Sequence, residues 1–333
     1  MSPNMQDLIA DLTIMQIKNF FERTSGITQA QCNHYASTAV GQPVRASAVQ
    51  GATSYTVEGV NSAKGGVVQF RSAEAALDVD KIQAAQIAYG PRFVSCPREA
   101  GCSAGLHAYV MDNVGGVSVY LAREELRANE NRLLSCTVED FAHFFAAPWH
   151  NHELPSSASA TDRAELYARY RDDLEQLHSG LPGRFSSTLE SLLETLPSLF
   201  QPDWPMVPNH TDLLENNIHV DSATGHITGI VDWADADISP FGASLEGLES
   251  LLGQRTLSGW RWVAGSAVLR QRFWAAFVAD VGPDMSMVNV EAARLVGIFM
   301  KFGFVWVEEL RRPVGEGSSE LAFLEALALK VDV

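Results

Sequence analysis

Apolar residues recur along this chain with two different periods, and the places where the period changes mark its elements. Leu8, Leu12, Met15, Ile17, Phe20 and Phe21 recur at helical spacing and a second helix starts near Thr28, so two short helices are expected over 6–40. Residues 44–71 read as three strands: 46–49 leads into the turn Gln50-Gly51-Ala52-Thr53, 54–57 returns, and 66–71 follows. Alternation in the third strand puts Val67, Gln69 and Arg71 on one face and Val68 and Phe70 on the other. A helix over 78–89 stops at Gly90-Pro91, and a strand over 106–112 leads to a turn at Gly115-Gly116. Beyond this point the pattern is mostly helical. It includes a polar, Ser- and Ala-rich surface loop over 150–165 and an apolar helix over 295–304, followed by Val305 and Trp306. Trp204, Trp233, Trp260, Trp262, Trp274 and Trp306 are expected in the core or in pocket walls. This order predicts an α+β chain of two lobes, a small β-rich one over 1–112 and a larger, mostly helical one over 113–333.

One segment of the larger part breaks the helical pattern. Residues 218–221 and 227–233 read as strands joined by the polar turn Ser222-Ala223-Thr224-Gly225-His226. His210-Thr211-Asp212-Leu213-Leu214-Glu215-Asn216-Asn217 precedes this hairpin, and Ile230-Val231-Asp232-Trp233 closes it. Asn217 at the entrance and Asp232 near the exit then lie side by side, as the ends of an antiparallel pair do. The His-x-Asp-x-x-x-x-Asn spacing followed by a further Asp is that of a kinase catalytic loop. In that chemistry Asp212 accepts the proton of an attacking hydroxyl, and Asn217 with Asp232 holds Mg²⁺ against nucleotide phosphates. His210 belongs to the catalytic set as the residue whose two ring nitrogens fix the loop backbone.

Val207-Pro208-Asn209-His210-Thr211-Asp212, the Asn217 hairpin, and Ile230 through Asp237 followed by Pro240-Phe241-Gly242 resemble the aminoglycoside phosphotransferase (phosphotransferase enzyme) family, in particular its fungal branch. The resemblance is strong over 200–255 and continuous, though weaker, over 25–320. It implies a protein-kinase-like fold and a small-molecule kinase that uses ATP or GTP with Mg²⁺.

The first lobe departs from that pattern. A phosphate-covering turn needs free backbone N–H groups and hence glycine. Here Gly51 is the single glycine of its turn, with the Thr53 and Ser54 hydroxyls as further donors. Gln69 stands where relatives carry a phosphate-binding Lys or Arg, and Arg71 is placed to substitute. Its acidic partner would be Glu74, Asp78 or Asp80, with Asp80 best placed. Met111, on the strand over 106–112, completes the expected nucleotide set. Without the phosphate Lys, a second reading stands beside the first: a kinase-like fold reused as a nucleotide-independent biosynthetic catalyst, with Asp212 as general base, or as a binding module.

Composition narrows the partners. A net charge of −16 argues against nucleic acid and permits a small cationic substrate drawn to Asp235 and Asp237, which follow Asp232, and to Glu246 and Glu249 on the helix expected after Phe241-Gly242. Cys32, Cys96, Cys102 and Cys136 include no CxxC pair and are expected as reduced thiols. His143, His150 and His152 do not share one helical face, so no metal site is expected there. No basic leader precedes an apolar run and no apolar run reaches about 18 residues, which makes a cytoplasmic protein without a membrane span the expectation. No obligate protein partner is evident.

Overall fold

The computed structural model describes residues 5–24, 26–61, 65–103, 105–153, 162–256 and 259–329. Most of the expected loop over 150–165 and the side chains of Leu8 and Cys102 lie outside the described residues. The chain forms two compact units, residues 1–83 with 95–115 and residues 84–94 with 116–333.

The first unit opens with α1 (Met5–Arg23) and α2 (Gln29–Val40). Thr28 caps α2 through a reciprocal bond with Gln31, and Gly41 ends it at φ 70, where a side chain would strain the backbone. Strands β1 (Val44–Ala46), β2 (Ser54–Gly59), β3 (Gly66–Ser72), β4 (Arg98–Ser103) and β5 (Leu106–Asp112) form one antiparallel sheet in the order β1-β2-β3-β5-β4. β1 ends at Ala46, where the expected strand 46–49 begins, for a local reason. The Gln50 amide bonds both the N–H and the C=O of Thr56, taking the place of a strand partner. β4 escapes sequence reading because Arg98-Glu99-Ala100-Gly101 has no apolar alternation and carries a register shift between Glu99 and Gly101. Tyr55, Val57, Val68, Phe70, Leu106 and Ala108 bury one sheet face against Phe20, Ile27, Cys32 and Ala36. A cleft of about 820 Å³ opens on this unit beside Ile27, His34, Tyr35, Phe70, Arg98 and Val110, and none of the expected site residues line it.

Helix α3 (Val79–Tyr89) is divided after Gln83, and its end with 90–94 groups with the second unit. There Tyr89 stacks on Phe144 at 4.3 Å and Ile230 donates its N–H to Phe93 O at 2.7 Å.

The second unit continues with β6 (Val117–Ser118), α4 (Arg123–His150), α5 (Arg163–Gly180), α6 (Ser186–Thr195), β7 (Met206–Asn209), β8 (Ile218–Val220), β9 (Ile227–Ile230) and β10 (Asp237–Pro240). α7 (Leu248–Leu252), β11 (Gly253–Thr256), β12 (Gly259–Trp262), α8 (Ser266–Val281), α9 (Met287–Phe302), β13 (Phe304–Val307), β14 (Leu310–Pro313) and α10 (Ser319–Ala328) complete it. Phe141, Phe144 and Phe145 of α4 meet Phe273 and Phe277 of α8 in an aromatic core. α4 is interrupted at Asn129, Glu130 and Asn131, all in the left-handed region.

Two expectations fail at the C-terminal end. α9 stops at Phe302, and 304–307 is a strand whose tight hairpin with β14 turns at Glu308 and Glu309. Trp306 is therefore not a core residue: it stands beside the tip of a two-stranded hairpin, where it and Val307 are both exposed, Trp306 by 73%. The second unit also carries short sheets besides the expected hairpin, β7–β10, β11–β12 and β13–β14.

Gly297 lets α9 approach the short 3-10 helix Ala243–Gly247, since a Cβ there would overlap the Ala243 carbonyl oxygen. Gly297→Ala is expected to lower unfolding stability by about 2–3 kcal/mol, the cost of overpacking a rigid contact. Gly183→Ala, where a Cβ meets nothing within 4 Å, should change it by about 0.5 kcal/mol or less. Urea unfolding of the two variants checks this.

Candidate active site

The catalytic-loop motif is built on the β7–β10 ladder, in which Asn209 faces Asp237. Asn209 is buried and its amide is fully used. It donates to Ser239 O, Ser239 Oγ and Pro240 O, and accepts from the N–H and hydroxyl of Ser244. This fixes the point from which the loop departs.

His210 follows, 2% exposed. Its Nδ1 accepts the backbone N–H of Asp212 at 3.1 Å. An N–H can only donate, so the ring proton sits on Nε2, which donates to Val231 O at 2.9 Å. Burial pushes the His210 pKa below its usual range, and the ring rests edge-on against Trp233 at 4.8 Å. Both nitrogens are committed to backbone.

Asn217 donates its side-chain Nδ2 to Asp212 O at 2.8 Å, and its main-chain carbonyl accepts from Val231 N–H at 2.9 Å. The loop is thus closed on itself, and the segment carrying Asp232 is bonded to Asn217. Asp232 takes φ 67, a left-handed backbone rare for a residue with a side chain. The hairpin itself is anchored on α4: Thr137 donates to Gly225 O at 2.7 Å, and Asp140 accepts from Ile227 N–H at 2.8 Å and from Arg92 at 2.6 Å. Asp212 and Asp232 are exposed. One carboxylate and one amide oxygen from neighbouring segments suit a hard cation that keeps waters and takes its other ligands from phosphate.

Three charged clusters surround the loop, and of their residues the sequence singled out Glu246 and Glu249. Glu215, inside the motif, is gripped by Arg123 and Arg127 of α4. Glu249, 1% exposed, takes two bonds from Arg270 and one from Arg294. Glu246, 4% exposed, pairs with Lys301 of α9 at 3.1 Å. Burial, with Asp212 and Glu249 nearby, pushes the Glu246 carboxyl up to about 7, against the opposing pull of Lys301. The other two expected acids are placed differently. Asp237 begins β10 and meets Arg169 at 3.4 Å, whereas Asp235 is exposed and its carbonyl accepts from Thr211. No alternation or spacing signal marks Lys301, Arg123 or Arg127, because their partners are distant in sequence.

On the first unit, Gln69 and Arg71 lie on one face of β3, as alternation predicts. Gln69 donates to Ser54 Oγ and Thr56 Oγ1, each at 3.3 Å, and accepts from Arg71 Nε at 2.8 Å. Arg71 is buried and also donates to Ala75 O. Gly51 and Thr53 are exposed, Ser54 starts β2, and Met111 faces Val67 across the β3–β5 ladder. Asp80 is exposed in the first turn of α3, Asp78 caps that helix through Lys81 N–H, and Glu74 lies on a short 3-10 helix. His143 and His150 both contact Asp280, and among the described residues no group of three His, Cys, Asp or Glu is placed to hold a metal. Among the same residues, no helix is long and apolar enough to cross a membrane.

The sequence profile of the phosphotransferase enzyme family matches residues 65–245, more than half of the chain. No curated protein matches. Solved structures with similar folds include the aminoglycoside phosphotransferase APH(4)-Ia, 14% identical, with a TM-score of 0.49 over 83% of this chain and 90% of that one. A streptomycin–ATP–APH(2")-IIa ternary complex is 13% identical with a TM-score of 0.47, covering 83% and 89%. APH(3'')-Id from Streptomyces rimosus is 16% identical with a TM-score of 0.43, covering 81% and 98%.

A His whose folded pKa is depressed stabilises the fold above its unfolded value, about 6.5, and that contribution is lost as pH falls below it. The stability difference between the wild type and His210→Asn is therefore expected to shrink as pH drops from about 7.5 to below about 6.5. Denaturant unfolding at several pH values measures it, and a difference that grows toward acid would show a charged ring.

Proposed function

Because the chain belongs to the phosphotransferase enzyme family, we propose that it transfers the γ-phosphoryl group of ATP or GTP to a hydroxyl of a small molecule. The observation that supports this most is the closed loop: Asn217 bonded at once to Asp212 O and to the segment that carries Asp232. Asp212, exposed and held through its own N–H and C=O, accepts the proton as the hydroxyl oxygen attacks phosphorus. The bond to the bridging oxygen breaks, and the nucleoside diphosphate leaves with that electron pair. The side-chain oxygen Oδ1 of Asn217 and the Asp232 carboxylate fit Mg²⁺, since the Asn217 side-chain nitrogen is already committed to Asp212 O. When bound there, Mg²⁺ supplies charge neutralisation of the phosphate oxygens. His210 keeps the loop in register and takes no proton.

On the first unit, Gly51, Thr53, Ser54, Gln69, Arg71 and Met111 are the proposed nucleotide residues. Gln69 offers dipoles where a cation would bind phosphate about twice as strongly. Among the expected acceptor-site acids, Asp235 has the exposed carboxylate suited to a cationic substrate. Asp237 already has Arg169, and Glu246 has Lys301.

Mg-ATP is expected to raise the melting temperature by ligand linkage. A chain that ignores both Mg-ATP and Mg-GTP would favour the nucleotide-independent reading. Asp212→Asn should keep its fold and lose kcat by roughly 10²–10⁴-fold, with little change in KM; a folded variant with wild-type kcat excludes the assignment. In Mg-ATP titrations, Gln69→Lys should tighten binding up to about tenfold and Arg71→Ala weaken it by about as much. Indifference to Arg71→Ala in a protein that binds ATP would remove Arg71 from the nucleotide set.

A further inference from the structure

We infer that Glu246 and Lys301 form a compensated charge pair beneath the catalytic loop, and that Glu246, as a positioning residue, must be ionised for Asp212 to work fully as proton acceptor. This rests on the Asp212 role proposed above.

The geometry sets Glu246 apart from an ordinary structural acid. It lies on the 3-10 helix Ala243–Gly247, which two glycines hold between α9 and the loop. A Cβ on Gly297 would overlap Ala243 O and come 3.4 Å from Glu246 Cγ, and one on Gly247 would sit 2.6 Å from Leu213 Cβ, next to Asp212. One carboxylate oxygen takes Lys301; the other is buried and has no hydrogen-bond partner among the described residues. Leaving a buried carboxylate oxygen unpaired is unfavourable, and a packing role would be met better by an amide or an apolar side chain. Glu249, the next acid along, shows what a structural carboxylate looks like here: both its oxygens are bonded to guanidinium groups.

The charged and titratable groups that bear on Glu246 come from each neighbouring element. They are Lys301 from α9, Asp212 from the loop and Glu249 from α7, the last already matched by Arg270 and Arg294. Lys301 also bears on His210, so its charge is felt inside the motif. With Glu246 ionised, the charge of Lys301 is balanced beneath the segment that carries Asp212. With Glu246 protonated, an uncompensated ammonium stands there and opposes the arrival of a proton on that segment. Glu246 is not on the proton's path, since Asp212 is exposed and returns its proton to water.

The test is the pH profile of Mg-ATP hydrolysis, with water standing in for the hydroxyl. Wild type should lose activity below a single acid limb near about 7, the value to which the Glu246 carboxyl is raised. Glu246→Gln should lack the limb and run roughly tenfold slower at pH 8, the effect of about one unit in the base's proton affinity. Lys301→Met removes the group that favours the carboxylate and should move the limb to higher pH. A Glu246→Gln enzyme with the wild-type limb and rate overturns the inference. Carboxyl ¹³C NMR gives a second readout that needs no turnover. The Glu246 midpoint should fall in Asp212→Asn, which deletes a neighbouring like charge; an unmoved midpoint overturns the coupling. If wild type neither hydrolyses Mg-ATP nor is stabilised by Mg-ATP or Mg-GTP while the NMR midpoint still moves, the kinase reading fails and the pairing survives.

Discussion

The imidazole of His210 joins three stretches of backbone that must keep a fixed relation: its own turn, Asp212 two residues on, and the strand end that delivers Asp232. The ring can do this only as a neutral tautomer with one donor and one acceptor. Burial enforces that state by disfavouring the imidazolium. A charged ring would turn Nδ1 into a second donor facing the Asp212 N–H, so the bond that positions Asp212 would become a repulsion. The surrounding structure keeps water from this ring, which is 2% exposed and rests edge-on against Trp233.

The loop is held from two further directions, which explains how exposed acids can be well placed without being buried. α4 grips the hairpin turn through Thr137 and Asp140 and the middle of the motif through Arg123 and Arg127 on Glu215. From the other side, Gly247 brings the 3-10 helix against Leu213. Precision is thus supplied by groups that touch no reactant, while Asp212 and Asp232 stay open to solvent.

How much of this was legible in the sequence depended on the range of the interactions. The motif, the hairpin and the juxtaposition of Asn217 with Asp232 are local and follow from spacing and strand pairing. The two faces of β3 follow from alternation, though the burial of Arg71 against Gln69 and Ala75 does not. The pairs that brace the site join residues far apart in sequence: Arg123 with Glu215, Lys301 with Glu246, Arg294 with Glu249. A single sequence has no period or motif that points from one to the other. β4 was missed for want of apolar alternation, and Trp306 was misplaced because an apolar run broken only by Lys301 and Gly303 hides the change from helix to strand after Phe302.

The left-handed backbone at Asp232 has a consequence for the sequences this position can accept. Two independent filters act on one codon. The backbone admits glycine, asparagine and aspartate readily and bars β-branched side chains almost completely. The proposed ligand role requires an anionic oxygen and removes glycine and asparagine. Only one residue passes both, so the position is narrower than either its exposure or its chemistry would suggest. A chain of this family that drifts away from phosphoryl transfer should show it here first: asparagine or glycine would relieve or preserve the local conformation while giving up the charge, leaving an intact fold with a changed vocation.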